Sequence, residues 1–297
     1  LSISEKACVD LGYMSSLTGK DAETLVTELS GVILFDPVAR QWQTADEYLS
    51  GDVREKLRIA RSYAAPGFPK DGLADYKINV SALEQAQPKD LDASEIEVRL
   101  GATWIGMDYI QQFMEETFEP PLHQRRLIHV NYSSVTAEWN ISGKSVPSMR
   151  DVNAYMTYGT ERANAYKILE DTLNLRDIRI YDTVTDPDGT ERRILNSKET
   201  TLAQQKQQVI KDSFHDWIWK DPDRRQALVQ RYNVLFNSTR PREYDGSHIR
   251  FSGMNPEIKL REHQLNAVAH ILYGGNTILA HKVGAGKTFE MVAAAME

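Results

Sequence analysis

Apolar positions recur at helical spacing in two short stretches near the start of the chain. Asp10 can cap a helix over 11–17, and Asp21 a second running through Ser30, on which Leu25, Val26 and Leu29 share one face. Gly31 ends it. The run Val32-Ile33-Leu34-Phe35 then reads as strand, Asp36-Pro37 as a turn, and Gln41-Trp42-Gln43-Thr44 as the returning strand. A longer helical pattern covers 45–63 before Pro66-Gly67-Phe68-Pro69 breaks it. Helical spacing resumes at 81–86, 94–100 and 107–118, followed by a hairpin pairing 127–132 with 135–141. Downstream the pattern predicts a helix over 161–173, strands at 178–181 and 192–195 joined by Asp186-Pro187-Asp188-Gly189, and long helices over 198–219 and 222–236. Pro222 directly behind Asp221 is a well-formed helix start.

Helix, tight turn, helix, strand, turn, strand is the order of a winged helix-turn-helix, with 1–6 as the remnant of its first helix. The second helix would be the recognition helix, yet Glu23 and Glu28 lie among its exposed positions and repel phosphate. Protein docking or a structural role therefore fits this module better than DNA binding. The whole chain reads as α+β and predominantly helical. It divides into a winged-helix-like module (1–65), a mixed middle domain with β-hairpins (66–196), a long-helix region (197–256) and the truncated start of a RecA-like α/β lobe (257–297).

Charge sharpens the picture. The chain carries 35 basic and 42 acidic residues, net −7, which argues against a protein that coats nucleic acid. The acidic excess belongs to 1–120, with 11 basic against 21 acidic residues, whereas 202–263 has 11 against 8. Arg224, Arg225 and Arg231 on the last long helix are the candidate phosphate contacts. The basic run Arg54, Lys56, Arg58 and Arg61 is interleaved with Asp52 and Glu55 and reads as an intrahelical ion-pair face. Phe214, Trp217 and Trp219 could stack bases, but on an amphipathic helix they read as core. With a single cysteine, Cys8, there is no internal disulfide and no CxxC pair to begin a zinc site. His263 and His270 stand one heptad apart, not i, i+4. These features point to the cytosol, and no apolar run approaches the ~20 residues of a membrane span, so no membrane partner is expected.

The end of the chain holds the strongest motif. Asn276-Thr277-Ile278-Leu279-Ala280 has a buried-strand pattern, 281–286 contains glycines, and 287–296 is helix-forming. Strand, loop and helix are the setting of a phosphate-binding loop. Gly284 and Gly286, with Ala285 between them, would let backbone amides curl around phosphate. Lys287 would neutralise phosphate oxygens and Thr288 would ligate Mg²⁺ through the nucleotide. The strict pattern has glycine at position 281, where this chain has His281. The ending Gly-Ala-Gly-Lys-Thr behind Ala280 resembles the variant used by superfamily 2 helicases and translocases. Leu260-Arg261-Glu262-His263-Gln264, on a helix over 261–272, resembles that superfamily's Q-type motif, in which the glutamine reads the adenine edge; an amide can both donate to and accept from adenine.

Glu119-Pro120-Pro121-Leu122 is similar to the catalytic loop of amino-methyltransferases, but Glu replaces the amide or Asp and Leu the stacking aromatic, so it reads as a plain loop. Four other stretches carry a broader resemblance: Tyr48-Leu49-Ser50-Gly51-Asp52-Val53-Arg54-Glu55-Lys56-Leu57; Arg99-Leu100-Gly101-Ala102-Thr103-Trp104-Ile105; Arg240-Pro241-Arg242-Glu243-Tyr244-Asp245-Gly246; and Gly253-Met254-Asn255 leading to the Gln264 motif. Together these resemble the very large methyltransferase-helicase proteins of conjugative elements and prophages, which join an adenine-specific methyltransferase to a Swi/Snf-like superfamily 2 ATPase. The resemblance implies that the chain is the connecting region plus the opening of the first motor lobe. It further implies ATP and Mg²⁺ as cofactors of the intact protein, and as partners DNA together with the methyltransferase and remaining motor domains of the same polypeptide. The acidic Mg²⁺ motif and the arginine finger are not among these residues, so no catalytic set is complete and the chain alone is expected not to hydrolyse ATP. A second expectation of another class is a scaffold that docks methyltransferase to motor without touching nucleic acid.

Overall fold

Two aspartates start the first helices as their positions dictate. In the computed structural model α1 (Ser2–Lys6) precedes α2 (Leu11–Thr18) and α3 (Ala22–Glu28). Asp10 accepts from the Tyr13 amide at 2.9 Å and Asp21 from the Thr24 amide at 2.8 Å. Gly19 lies between them at φ 72°. The hairpin β1 (Ile33–Asp36) and β2 (Gln41–Thr44) follows, with Phe35 opposite Trp42. The structure describes residues 1–297 except 7, 68–71, 188–189, 252, 256 and 275. Phe68 and Pro69 of the expected linker and Asp188-Gly189 of the expected turn lie outside the described residues.

The chain forms two units, Leu1–Lys89 with Val234–Glu297, and Asp90–Asn233. In the first, the single helix expected over 45–63 is two, α4 (Ala45–Tyr48) and α5 (Val53–Tyr63), separated by the short strand β3 (Gly51–Asp52). Gly51 adopts φ 74°, and Asp52 caps α5 by accepting from the Glu55 amide at 2.9 Å, so the break is written into both residues. α6 (Tyr76–Gln85) closes a small core of Leu34, Tyr48, Val53, Leu57, Ala60 and Leu83. The basic run on α5 is occupied internally. Arg58 pairs with Glu55, Arg61 with Glu84, and Lys56 donates to the Tyr48 and Ser50 carbonyls. Burial holds the Lys56 ammonium below the usual lysine range.

The second unit begins with an extended segment where 94–100 was expected to be helical. Ile96, Val98 and Leu100 are buried in alternation, the period of extended chain rather than of a helix. The elements that follow are α7 (Met107–Phe118), α8 (Leu122–Arg125), the antiparallel pair β4 (His129–Ser133) and β5 (Glu138–Ser142), a π-helical turn (Asn153–Thr157) and α9 (Ala165–Leu173). Next come β6 (Tyr181–Thr185) paired with β7 (Glu191–Leu195), then α10 (Ser197–Ile218) and α11 (Pro222–Phe236). The first strand of that last hairpin lies further along than expected: Ile178 and Ile180 are extended and buried but unpaired by any ladder among the described residues. Phe113, Phe118, Tyr166 and Phe214 meet edge to face in the core. Phe214 is buried and Trp217 and Trp219 pack on the same core, the role that their helix face assigned them.

The chain then returns to the first unit. β8 (Thr239–Arg240) pairs with β3, and α12 (Glu262–Gly274) and α13 (Lys287–Met296) pack around Ile249, Val268, Ala269 and Ala293. The strand expected over 276–280 does not form: these residues belong to no strand or bridge among the described residues, and Ile278 is 90% exposed. A parallel strand is stable when paired on both edges and covered on both faces, and local sequence cannot supply that. The fold is α+β and predominantly helical, with small two-stranded antiparallel sheets.

Candidate nucleotide-binding site

α12 presents its first turn to the loop that precedes α13. Gln264 stands three residues behind Arg261, the position from which a side chain can cap its own helix. Its Oε1 accepts from the Arg261 amide at 2.9 Å. Its Nε2 donates to the Ala285 carbonyl at 3.0 Å, and His263 Nε2 lies 3.2 Å from the same oxygen. The glutamine expected to face adenine is thus 8% exposed and binds the loop and its own helix start.

The loop has the backbone that its glycines allow. Gly284 and Gly286 adopt φ 87° and 93°, where a side chain is disfavoured, and Gly286 caps α13. The Ala285 amide donates to the Lys282 carbonyl at 3.2 Å, which closes the turn. A Cβ at position 286 would lie 2.2 Å from Gln264 Nε2, so glycine is what permits the glutamine to approach. Among the described residues no hydrogen bond is made by the amides of Lys287 and Thr288, the first two of α13, which point out of the helix start as orphan donors. The Lys287 ammonium donates to the carbonyls of His281 at 2.8 Å and Lys282 at 3.2 Å, back across the loop, and Thr288 is exposed. Two outward amides at a helix start, an ammonium beside them and an accessible hydroxyl fit a phosphate group with its Mg²⁺. Gln264, Gly284, Ala285, Gly286, Lys287 and Thr288 are therefore brought together.

Sequence reasoning treated His281 only as a departure from glycine and passed over Glu290. His281 Nδ1 lies 2.9 and 3.1 Å from the two carboxylate oxygens of Glu290, which has no exposed surface. A carboxylate nine residues on, in the third position after the loop lysine, was the available signal.

The three candidate phosphate contacts on α11 are not equivalent. Arg225 and Arg231 are exposed. Arg224 is 7% exposed: its guanidinium donates to the carbonyls of Ile218 at 3.1 Å and Trp217 at 2.7 Å and lies 3.5 Å above the Trp217 ring. Arg224 satisfies the last carbonyls of α10, and the expectation that it faces a DNA backbone is corrected by that burial. On α3 the exposed face holds Glu23, Thr24, Thr27 and Glu28, with Glu28 paired to Lys20 at 2.6 Å. No group of histidine, cysteine and carboxylate side chains suited to a metal occurs among the described residues. No helix of the described chain is long and apolar enough to cross a membrane.

Comparison with known proteins follows the same division. Residues 1–43 match the family model described as "Probable helicase, winged helix domain", the fold order formed by α1 to β2. Residues 99–238 match a "Domain of unknown function (DUF8437)", which takes in most of the second unit. Among curated proteins the chain is similar to "Defense against restriction protein B" of Escherichia phage P1, 22% identical over 253 residues, or 80% of this chain and 11% of the relative. The chain thus spans about a tenth of the length of the curated relative it matches. No solved structure matches. The N-terminal residues are thus similar to a winged-helix domain described for probable helicases.

Proposed function

We propose that this chain belongs to an ATP-driven DNA translocase joined to a methyltransferase, and that it contributes the nucleotide-binding loop and an accessory region that meets DNA. One observation carries the reading. Behind two left-handed glycines, the first two amides of α13 make no hydrogen bond among the described residues, the Lys287 ammonium lies on the carbonyls of His281 and Lys282 in the same loop, and α12 lays Gln264 against that loop. A match to a helicase-type winged-helix model in the same chain, and similarity to a much longer phage protein of which the match covers 11%, support a motor rather than a small-molecule enzyme. Bound ATP would supply the phosphoryl group whose hydrolysis drives movement. Towards it the chain would offer the Lys287 and Thr288 amides, the Lys287 ammonium and the Thr288 hydroxyl on Mg²⁺.

Calorimetric titration of Mg·ADP into the 297-residue chain tests this. Saturable binding that Lys287→Ala weakens by about a hundredfold is expected, since removal of a charge-assisted contact to phosphate costs about 2–3 kcal/mol. Equal affinity in both proteins rejects the loop as the site.

The buried Arg224 and the acidic face of α3 favour a second reading, in which the region docks methyltransferase to motor and DNA is contacted elsewhere. Duplex DNA titrated at two salt concentrations separates the two. Affinity that falls with salt, and falls less steeply in the Arg225→Glu, Arg231→Glu double variant, supports DNA contact, because each phosphate contact releases counterions.

A further inference from the structure

Two side chains on one face of α13 grip the same loop residue from opposite ends. Lys287 donates to the backbone carbonyl of His281 at 2.8 Å. One turn later, Glu290 holds the His281 imidazole at 2.9 Å, and its carboxylate is fully buried. Nδ1 is the ring nitrogen that faces both carboxyl oxygens of Glu290, at 2.9 and 3.1 Å. His281 occupies the first loop position, where the strict phosphate-loop pattern has glycine. A flexible start is thus replaced by a residue fixed at both its carbonyl and its ring.

We propose that Glu290, acting through His281, positions the start of the loop and with it the resting place of the Lys287 ammonium, so that His281 and Glu290 are positioning residues for phosphate binding. The proposal rests on the reading of the loop as a nucleotide site. It assigns a purpose to a carboxylate buried beside a site meant for polyanions, where electrostatics alone is unfavourable. A carboxylate within a few ångströms of bound phosphate repels it, so its removal would tighten binding if charge were its only influence. Positioning has the opposite sign: without the latch the loop start is loose and phosphate affinity falls.

The test is a double-mutant cycle on the affinity of the 297-residue chain for Mg·ADP, with adenosine as a phosphate-free comparison. His281→Ala and Glu290→Ala are each expected to weaken Mg·ADP about tenfold, or about 1.4 kcal/mol, and the double variant no more than either alone. Adenosine affinity should stay as in the unmodified chain. Glu290→Gln, which keeps the volume and can still accept from Nδ1, should lie between the alanine variant and the unmodified chain. Where Glu290→Ala does not fold, His281→Ala against His281→Gln carries the test: alanine loses affinity, and glutamine, whose amide can donate to the carboxylate, recovers part of it. Unchanged or tighter Mg·ADP binding in the alanine variants, additive losses, or an equal loss for adenosine overturns the proposal. If the unmodified chain and Lys287→Ala bind Mg·ADP alike, the nucleotide-site reading falls and this inference with it; if only Lys287→Ala loses binding, the latch alone is rejected.

Discussion

Arg224 and Arg225 are neighbours in sequence and opposites in situation. The Arg225 side chain is in solvent, whereas the Arg224 guanidinium ties down the Trp217 and Ile218 carbonyls at the end of α10 and stacks on the Trp217 ring. Arg224→Ala removes a donor from both carbonyls, of which that of Trp217 keeps the Lys220 amide at 3.2 Å, and removes the stack, and is expected to lower unfolding stability by about 2–3 kcal/mol while DNA affinity is unchanged. Denaturant titration with a parallel DNA titration checks both halves. Glu170 makes a second prediction at this scale. Burial pushes its carboxyl up, but hydrogen bonds from the Ile141 amide and Lys144, with the charges of Lys144 and Lys167, outweigh burial and leave it below the usual range. A depressed carboxyl stabilises the fold above its unfolded pKa of about 4.3 and loses that contribution as pH falls through the folded value. Glu170→Gln should therefore be less stable than the unmodified chain at neutral pH, and the gap should narrow below pH ~4. A gap that stays constant in urea midpoints from pH 7 to pH 3 contradicts the assignment.

At the scale of elements, α12, the loop and α13 depend on two glycines for different reasons. Both lie at positive φ, but a Cβ at 284 meets nothing within 4 Å while one at 286 meets Gln264. Gly284→Ala is expected to cost about 1 kcal/mol of backbone strain, and Gly286→Ala that strain plus displacement of Gln264, so the second should be the more destabilising in thermal or urea unfolding. Elements of this kind were legible wherever their cause is local: Asp10 and Asp21 as caps, the 107–118 amphipathic repeat, Pro222 at a helix start, and Gly-Ala-Gly-Lys-Thr before a helix. Reading failed where the cause is distant or the period was misjudged. Ile96, Val98 and Leu100 alternate and belong to extended chain. Gly51 and Asp52 divide a pattern that otherwise continues. The segment 276–280 is apolar enough for a strand, but it belongs to no sheet among the described residues. The loop and the Gln264 stretch were legible as motifs. The bond of Gln264 to Ala285 and the pairing of His281 with Glu290 were not, because the first depends on how α12 meets the loop and the second on how the loop folds back onto α13.

The whole molecule combines an N-terminal stretch that matches a helicase winged-helix model, a second unit that matches a domain of unknown function, and the glycine loop for which we propose phosphate binding. Its acidic first part, with Glu28 already paired on α3, makes a general affinity for nucleic acid unexpected, so the proposed function rests on the loop beside α12. Backbone hydrogen exchange, followed residue by residue with and without Mg·ADP, tests that most directly. At a hundred times the dissociation constant, amides over 282–292 and the first turn of α12 should exchange up to about a hundredfold more slowly, while the unit Asp90–Asn233 is unchanged. No slowing over 282–292, or slowing confined to the second unit, would contradict the account.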